Sequence, residues 1–128
     1  MRYMMFIVHS EDYRNHPPPQ GLMDAMEKFV EEGFANKTLV DTAGLQATDK
    51  AARVRLSKGK IKVTDGPFTE AKEIVGGYAL VEVKSHAEAM ELAKKFMDLH
   101  RVHWPEFEGM CEVRPLEIFD APASHRAG

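Results

Sequence analysis

Three kinds of side chain in this sequence have the types and positions to do chemistry together. The first is an acid in a corner: Asp65 within Val63-Thr64-Asp65-Gly66-Pro67-Phe68-Thr69-Glu70. The second is His9, at the end of the apolar run Arg2–His9. A histidine titrates near neutral pH, and a carboxylate beside it fixes the tautomer and supports the charged form. If Asp65 and His9 converge, the pair abstracts a proton next to a carbonyl or assists loss of a leaving group. The third kind is cationic. Arg53, Arg55 and Lys72 suit an acidic substrate, arginine above all because its planar fork matches a carboxylate.

Each of these residues also has a plainer reading. Asp65 is equally a turn-capping acid, hydrogen-bonded to backbone N–H groups just downstream. His9 is equally a satisfied histidine at a strand end, and the cations a solvated or partner-facing surface. His100 and His103, three apart beside Trp104, share one side of a helix end. With Glu106 or Glu108 they suggest a metal. Two imidazoles without a third nearby ligand favour a structural or pocket-lining role instead, so no metal is assigned. Cys111 has no flanking base and reads as a buried, inert thiol. Gly-rich phosphate loops, Walker patterns and nucleophile elbows are absent from the sequence, so chemistry without a cofactor is expected.

Elements must position these residues. Arg2–His9 is short, aromatic and β-branched, as a buried strand is. Pro17-Pro18-Pro19 leads stiffly into a helix whose apolar stripe is Leu22, Met26, Phe29 and Val30, with Gly33 placed to stop it. Thr38–Gln46 is a second strand. Arg53–Leu56, a Ser-Lys-Gly turn and Ile61–Val63 form a hairpin, with Val54, Leu56, Ile61 and Val63 expected to cover the core. Arg53, Arg55 and Lys62 then face outwards or into a cleft. Like charges opposed across strands repel, so an anion, a carboxylate or a partner surface is expected nearby.

After the corner, where Gly66 is free to take a positive φ and Pro67 is fixed, Ile74–Val83 is apolar on both faces and reads as a central strand. Gly76-Gly77 within it admits a close backbone or ligand. Ser85 and Glu88 form a capping box for a helix striped by Ala89, Met90, Ala93, Phe96 and Met97. The chain is expected to leave that helix over Leu99–Trp104, with Pro105 closing it. Met110–Phe119 is the last strand, marked as an edge by Pro115. The order strand, helix, strands, strand, helix, strand predicts an α+β, ferredoxin-like sandwich with an extra β-hairpin. Its two helices lie on one face of an antiparallel sheet. The opposite face then needs a cover, and a second copy of the chain, a homodimer, is the simplest one.

At 128 residues the chain is expected to be a single domain over residues 1–119, with a flexible tail over 120–128. A net charge of -3 argues against a nucleic-acid partner, which leaves a basic footprint. The 17 Lys and Arg interleave with acids and form no block. One cysteine cannot form an internal disulfide, Tyr3–Val8 is too short for a signal segment, and no run reaches membrane-span length. A soluble, cytoplasmic protein with no membrane association is expected.

The chain resembles the YCII-related proteins, in the branch named after its Asp-Gly-Pro-Phe motif. Asp65-Gly66-Pro67-Phe68 carries the likeness with Glu70, Lys72-Glu73 and Gly76-Gly77-Tyr78. Gly44-Leu45-Gln46, Ala52-Arg53-Val54-Arg55 and Glu112-Val113-Arg114-Pro115 add to it. The resemblance implies ferredoxin-like units pairing into a dimeric α/β barrel. It further implies either a small enzyme or a regulatory module working beside an extracytoplasmic-function sigma factor. In enzyme relatives a His and an Asp act as a dyad in elimination or isomerisation of aromatic breakdown products; here the Asp is Asp65, and His9 is chosen by its position at a strand end. The expected pocket, for a small anionic molecule, is lined by Arg53, Arg55, Gly66, Pro67, Phe68, Lys72, Tyr78, His100 and His103.

Overall fold

A computed structural model of the chain describes residues 1–117. The expected tail at 120–128, and Ile118 and Phe119 of the expected last strand, lie outside the described residues.

Strand β1 (Arg2–His9) is the first element. A short 3-10 helix, Glu11–Asn15, follows it and leads towards the triple proline. Helix α1 (Gln20–Ala35) begins directly after Pro19 and buries Leu22 completely. It does not stop at Gly33. The helix runs on to Ala35, and the left-handed residue is Lys37, at φ 64°. Asn36 makes that exit possible, its side-chain carbonyl accepting from Thr38 N–H at 2.9 Å. Strand β2 (Leu39–Gly44) and a second 3-10 turn, Thr48–Lys50, follow.

Strands β3 (Ala52–Ser57) and β4 (Lys60–Asp65) pair only with each other, as a separate two-stranded sheet. Lys58 and Gly59 turn the hairpin with positive φ values of 52° and 75°, the combination that a two-residue turn between right-twisted strands requires. Here the structure departs from expectation. Val54, Leu56, Ile61 and Val63 do not cover the core but stand 63–72% exposed. The alternation predicted which residues share a face, and the register confirms it, with Val54 opposite Val63 and Leu56 opposite Ile61. Alternation alone does not say whether anything lies against that face.

Strand β5 (Ile74–Glu82) is central, as its apolar character predicts, between β1 and β2. Helix α2 (His86–His103) starts where the capping box places it: Ser85 Oγ accepts from Glu88 N–H at 3.2 Å. Residues 99–103 remain helical instead of leaving the helix, and Trp104, next to Pro105, is its cap. Strand β6 (Gly109–Pro115) is an edge strand paired with β1, and Pro115 is its last residue.

The four-stranded sheet has the order β2-β5-β1-β6, with every neighbouring pair antiparallel. With the hairpin set aside, this is the split β-α-β arrangement of a ferredoxin-like fold. Tyr3, Met5, Val81 and Val83 project from the sheet onto Ala89 and Ala93 of α2, and these six form the buried core. The alternate residues Met4, Phe6, Val8 and Leu80 lie on the opposite face and stay half-buried. No helix of the described chain is long and apolar enough to cross a membrane.

Candidate ligand-binding cleft

The corner after β4 is built differently from expectation. The chain turns through a cis Gly66–Pro67 peptide, and Gly66 does not take a positive φ. Gly66 is required by crowding: a Cβ there would lie 1.6 Å from the Thr48 carbonyl oxygen. Nor does Asp65 pin the turn. Gly66 N–H donates to the Ala51 carbonyl at 2.8 Å, and Phe68 N–H donates to Thr48 Oγ1 at 3.2 Å. Thr48 donates its own hydroxyl proton to the buried Glu11 carboxylate. A polar chain therefore runs from the 3-10 helix after β1, through the turn after β2, to the corner. Phe68 is buried by it.

Two open hollows flank this construction. The larger, about 540 Å³, is lined by Leu45, Thr48, Lys50, Arg53, Phe68 and Glu73 among others. The Arg53 guanidinium lies 3.9 Å from the centre of the Phe68 ring, a cation held on an aromatic face. The smaller, about 370 Å³, holds His9, Tyr13, Lys72, Glu73 and Glu108 around the end of β1. Glu73 lines both, so the two are neighbours across that residue. Their sizes fall in the range that small organic ligands fill.

His9 is fixed by its surroundings. Its Nδ1 lies 2.8 Å from the Ser10 carbonyl, and a carbonyl only accepts, so Nδ1 is the donor in this contact. Nε2 stands over Gly76, where a Cβ would come within 2.1 Å of it. At Gly76 the close neighbour is this side chain and not the expected backbone or ligand, at the irregularity in β1–β5 pairing between Ile7 and Val8; the close backbone is met at Gly77, where a Cβ would lie 3.1 Å from the Ala43 carbonyl oxygen. Tyr13 meets the His9 ring edge-on with centroids 5.5 Å apart, and its hydroxyl accepts from Glu108 N–H at 2.8 Å.

Behind His9 the rings continue through Phe107, His100 and Phe96 to Phe29 of α1. His100 is buried in this series, with Nδ1–H donating to the Phe96 carbonyl at 3.0 Å. Burial pushes its pKa down, and the carbonyl hydrogen bond opposes that only in part.

The structure brings some of the expected site residues together and leaves others apart. His9 and Lys72 share the smaller hollow; Arg53 and Phe68 share the larger. Asp65 is exposed at the end of β4, lines neither hollow and has no side-chain hydrogen bond or ion pair among the described residues, so within one chain it does not meet His9. Arg55 lies on the hairpin opposite Lys62. Gly66 and Pro67 shape the corner without lining either space. Tyr78 donates its hydroxyl to Asp41 at 2.9 Å, and that bond holds its proton more tightly than usual. His103 lies against the start of α1, its Nδ1 3.5 Å from where a Gly21 Cβ would sit. No group of three metal-ligating side chains occurs among the described residues. Burial pushes the Cys111 thiol up to about 11, in keeping with an inert cysteine.

Sequence reasoning missed Lys50 and Thr48 at the larger hollow and Tyr13, Glu73 and Glu108 at the smaller. Glu73 stands in the recognised Lys72-Glu73 pair, which was a usable signal. Thr48 and Tyr13 had none, lying in polar connections with no periodicity.

These features define a class of protein: a mixed α+β chain with two helices on an antiparallel sheet, consistent with the ferredoxin-like fold. Comparison with known families narrows the class. The YCII-related domain matches residues 1–97, and the chain belongs to that family. It is also 37% identical, over 98 residues, to an uncharacterised protein of Rhizobium meliloti (strain 1021), covering 77% of this chain and 72% of that protein. Every residue lining the larger hollow lies within the stretch that the family matches.

Proposed function

We propose that this YCII-related protein, of the Asp-Gly-Pro-Phe branch, binds a small organic anion in the double hollow and acts on it by acid–base chemistry without a cofactor. The observation that carries the reading is the pairing of the two spaces. One offers a cation laid on an aromatic ring, Arg53 over Phe68. The other offers an imidazole oriented by donation from its Nδ1–H to the Ser10 carbonyl.

Arg53 and Lys50 hold the anionic end of the ligand, and Phe68 with Leu45 and Val75 accepts its apolar part. His9 is the proton-transfer group. The nearby carboxylate in this reading is Glu73, which takes the place that the sequence suggested for Asp65. Lys72 supplies a second positive charge at the smaller hollow. A second copy against the bare sheet face, completing a dimeric barrel, is part of the same proposal.

The test is a thermal-shift screen of small aromatic and aliphatic carboxylates, followed by the variants. A native-state ligand raises the melting temperature. Binding should weaken by about tenfold or more in Arg53→Ala, from loss of a charge-assisted contact. His9→Gln should retain binding and lose turnover. A ligand bound equally well by Arg53→Ala, or a turnover unchanged in His9→Gln, would overturn the respective assignment.

A further inference from the structure

The hairpin of β3 and β4 sorts its side chains by alternation onto two unlike faces. Residues directly opposite each other on antiparallel strands point the same way. Val54, Leu56, Ile61 and Val63 therefore share one face, and Asp65, opposite Ala52, lies on that side too. The other face carries Arg53 with Thr64, Arg55 with Lys62, and Ser57 with Lys60. Residues 52–65 hold five of the 17 Lys and Arg and a single acid, Asp65. The second face thus has four cations, two hydroxyls and no carboxylate. Every residue of both strands is exposed, and none of the four cations has an ion pair among the described residues.

This cationic face begins inside the site already described. Arg53, at the root of β3, lays its guanidinium on Phe68 and lines the larger hollow, as does Lys50 just before the strand. Arg55 lies two residues further out, roughly 7 Å along the strand, and Lys60, opposite Ser57, lies roughly 14 Å out. The cations form a row that leads from the hollow to the tip of the hairpin. Arg55 and Lys62 stand directly opposed, and like charges so placed repel unless an anion sits between them.

We infer, building on the larger hollow as an anion site, that its ligand is a small organic compound bearing a chain of phosphates. The first phosphate meets Lys50 and Arg53, and the rest of the chain runs outward between Arg55 and Lys62 towards Lys60. A phosphate chain repeats its charge at every link, as the row repeats its cations. The tetrahedral oxygens of each phosphate accept from donors on two sides at once, which suits an opposed pair, whereas the single plane of a carboxylate suits one arginine fork.

The test is isothermal titration calorimetry of the full chain at low ionic strength with orthophosphate, tripolyphosphate, benzoate and citrate. The wild type should bind tripolyphosphate about tenfold or more tightly than orthophosphate, and the margin should shrink as salt screens these exposed charges. Arg55→Ala/Lys62→Ala should lose most of that margin, and Arg53→Ala should weaken both phosphates. Because the substituted side chains are exposed, the circular dichroism of each variant should match the wild type. Equal affinity for the two phosphates, with benzoate or orthophosphate still held through Arg53, would overturn the phosphate row and leave the anion site of the hollow standing. Failure of all four probes to bind would overturn both. A margin kept in Arg55→Ala/Lys62→Ala would remove the row, and tripolyphosphate binding indifferent to Arg53→Ala would sever it from the hollow. Citrate bound as tightly as tripolyphosphate would overturn the choice of phosphate.

Discussion

At the scale of single residues, the buried His100 has the clearest consequence. Its folded pKa is depressed below the ordinary value of 6.5, chiefly by burial. The unfolded chain therefore binds the extra proton more readily than the native one. The contribution of neutral His100 is complete above pH 6.5 and is lost as pH falls through that value towards the lower folded one. In His100→Phe, which keeps a ring between Phe96 and Phe107, this part of the acid sensitivity should disappear. Urea titrations of both proteins above and below pH 6.5 measure it as a difference of slopes. An identical pH dependence in the two would mean that the imidazole is freely protonated in the native state.

At the scale of elements, the corner is held by what the preceding turn offers it. Gly66→Ala forces a methyl group against the Thr48 carbonyl and should cost roughly 3 kcal/mol or more, since backbone has to move. Thr48→Val removes the donor to Glu11 and the acceptor for Phe68 N–H together and should cost about 1–3 kcal/mol. Asp65→Asn should change stability by no more than about 0.5 kcal/mol, as an exposed side chain without partners does. Chemical denaturation of the three variants ranks them. A corner insensitive to Thr48 but broken by Asp65→Asn would restore the capping role read from the sequence. That role was a sound inference from a local rule. It fails because the nearest donors are taken up by groups 15–20 residues away in the chain, which a local rule does not see.

At the scale of the molecule, two apolar sets behave oppositely. Leu22, with no exposure, locks α1 onto the body, and Leu22→Ala should cost about 2–5 kcal/mol. Val54→Ser on the hairpin should leave the unfolding free energy of a dilute, dissociated chain within about 0.5 kcal/mol of the wild type. Thermal and urea unfolding at low protein concentration compare them. A large loss for Val54→Ser under those conditions would place the hairpin inside the monomer's own core. Composition hid this division. The cations interleave with acids when the chain is read end to end, yet the hairpin of β3, its turn and β4 gathers five of them.

The sequence by itself determined the elements and their kinds. Period-two and period-3.6 patterns, the Ser85 capping box, the Lys58-Gly59 turn and the doubly apolar Ile74–Val83 run act over a few residues, so their physics is written locally. The edge position of β6 was equally readable from Pro115. What only the tertiary structure decided was which faces meet and which polar groups find each other. Burial of Tyr3 against Val81, the stacking of Arg53 on Phe68, the seat of His9 over Gly76 and the bareness of the hairpin each join residues far apart in the chain. Those contacts depend on how whole elements pack, and no short-range pattern specifies that.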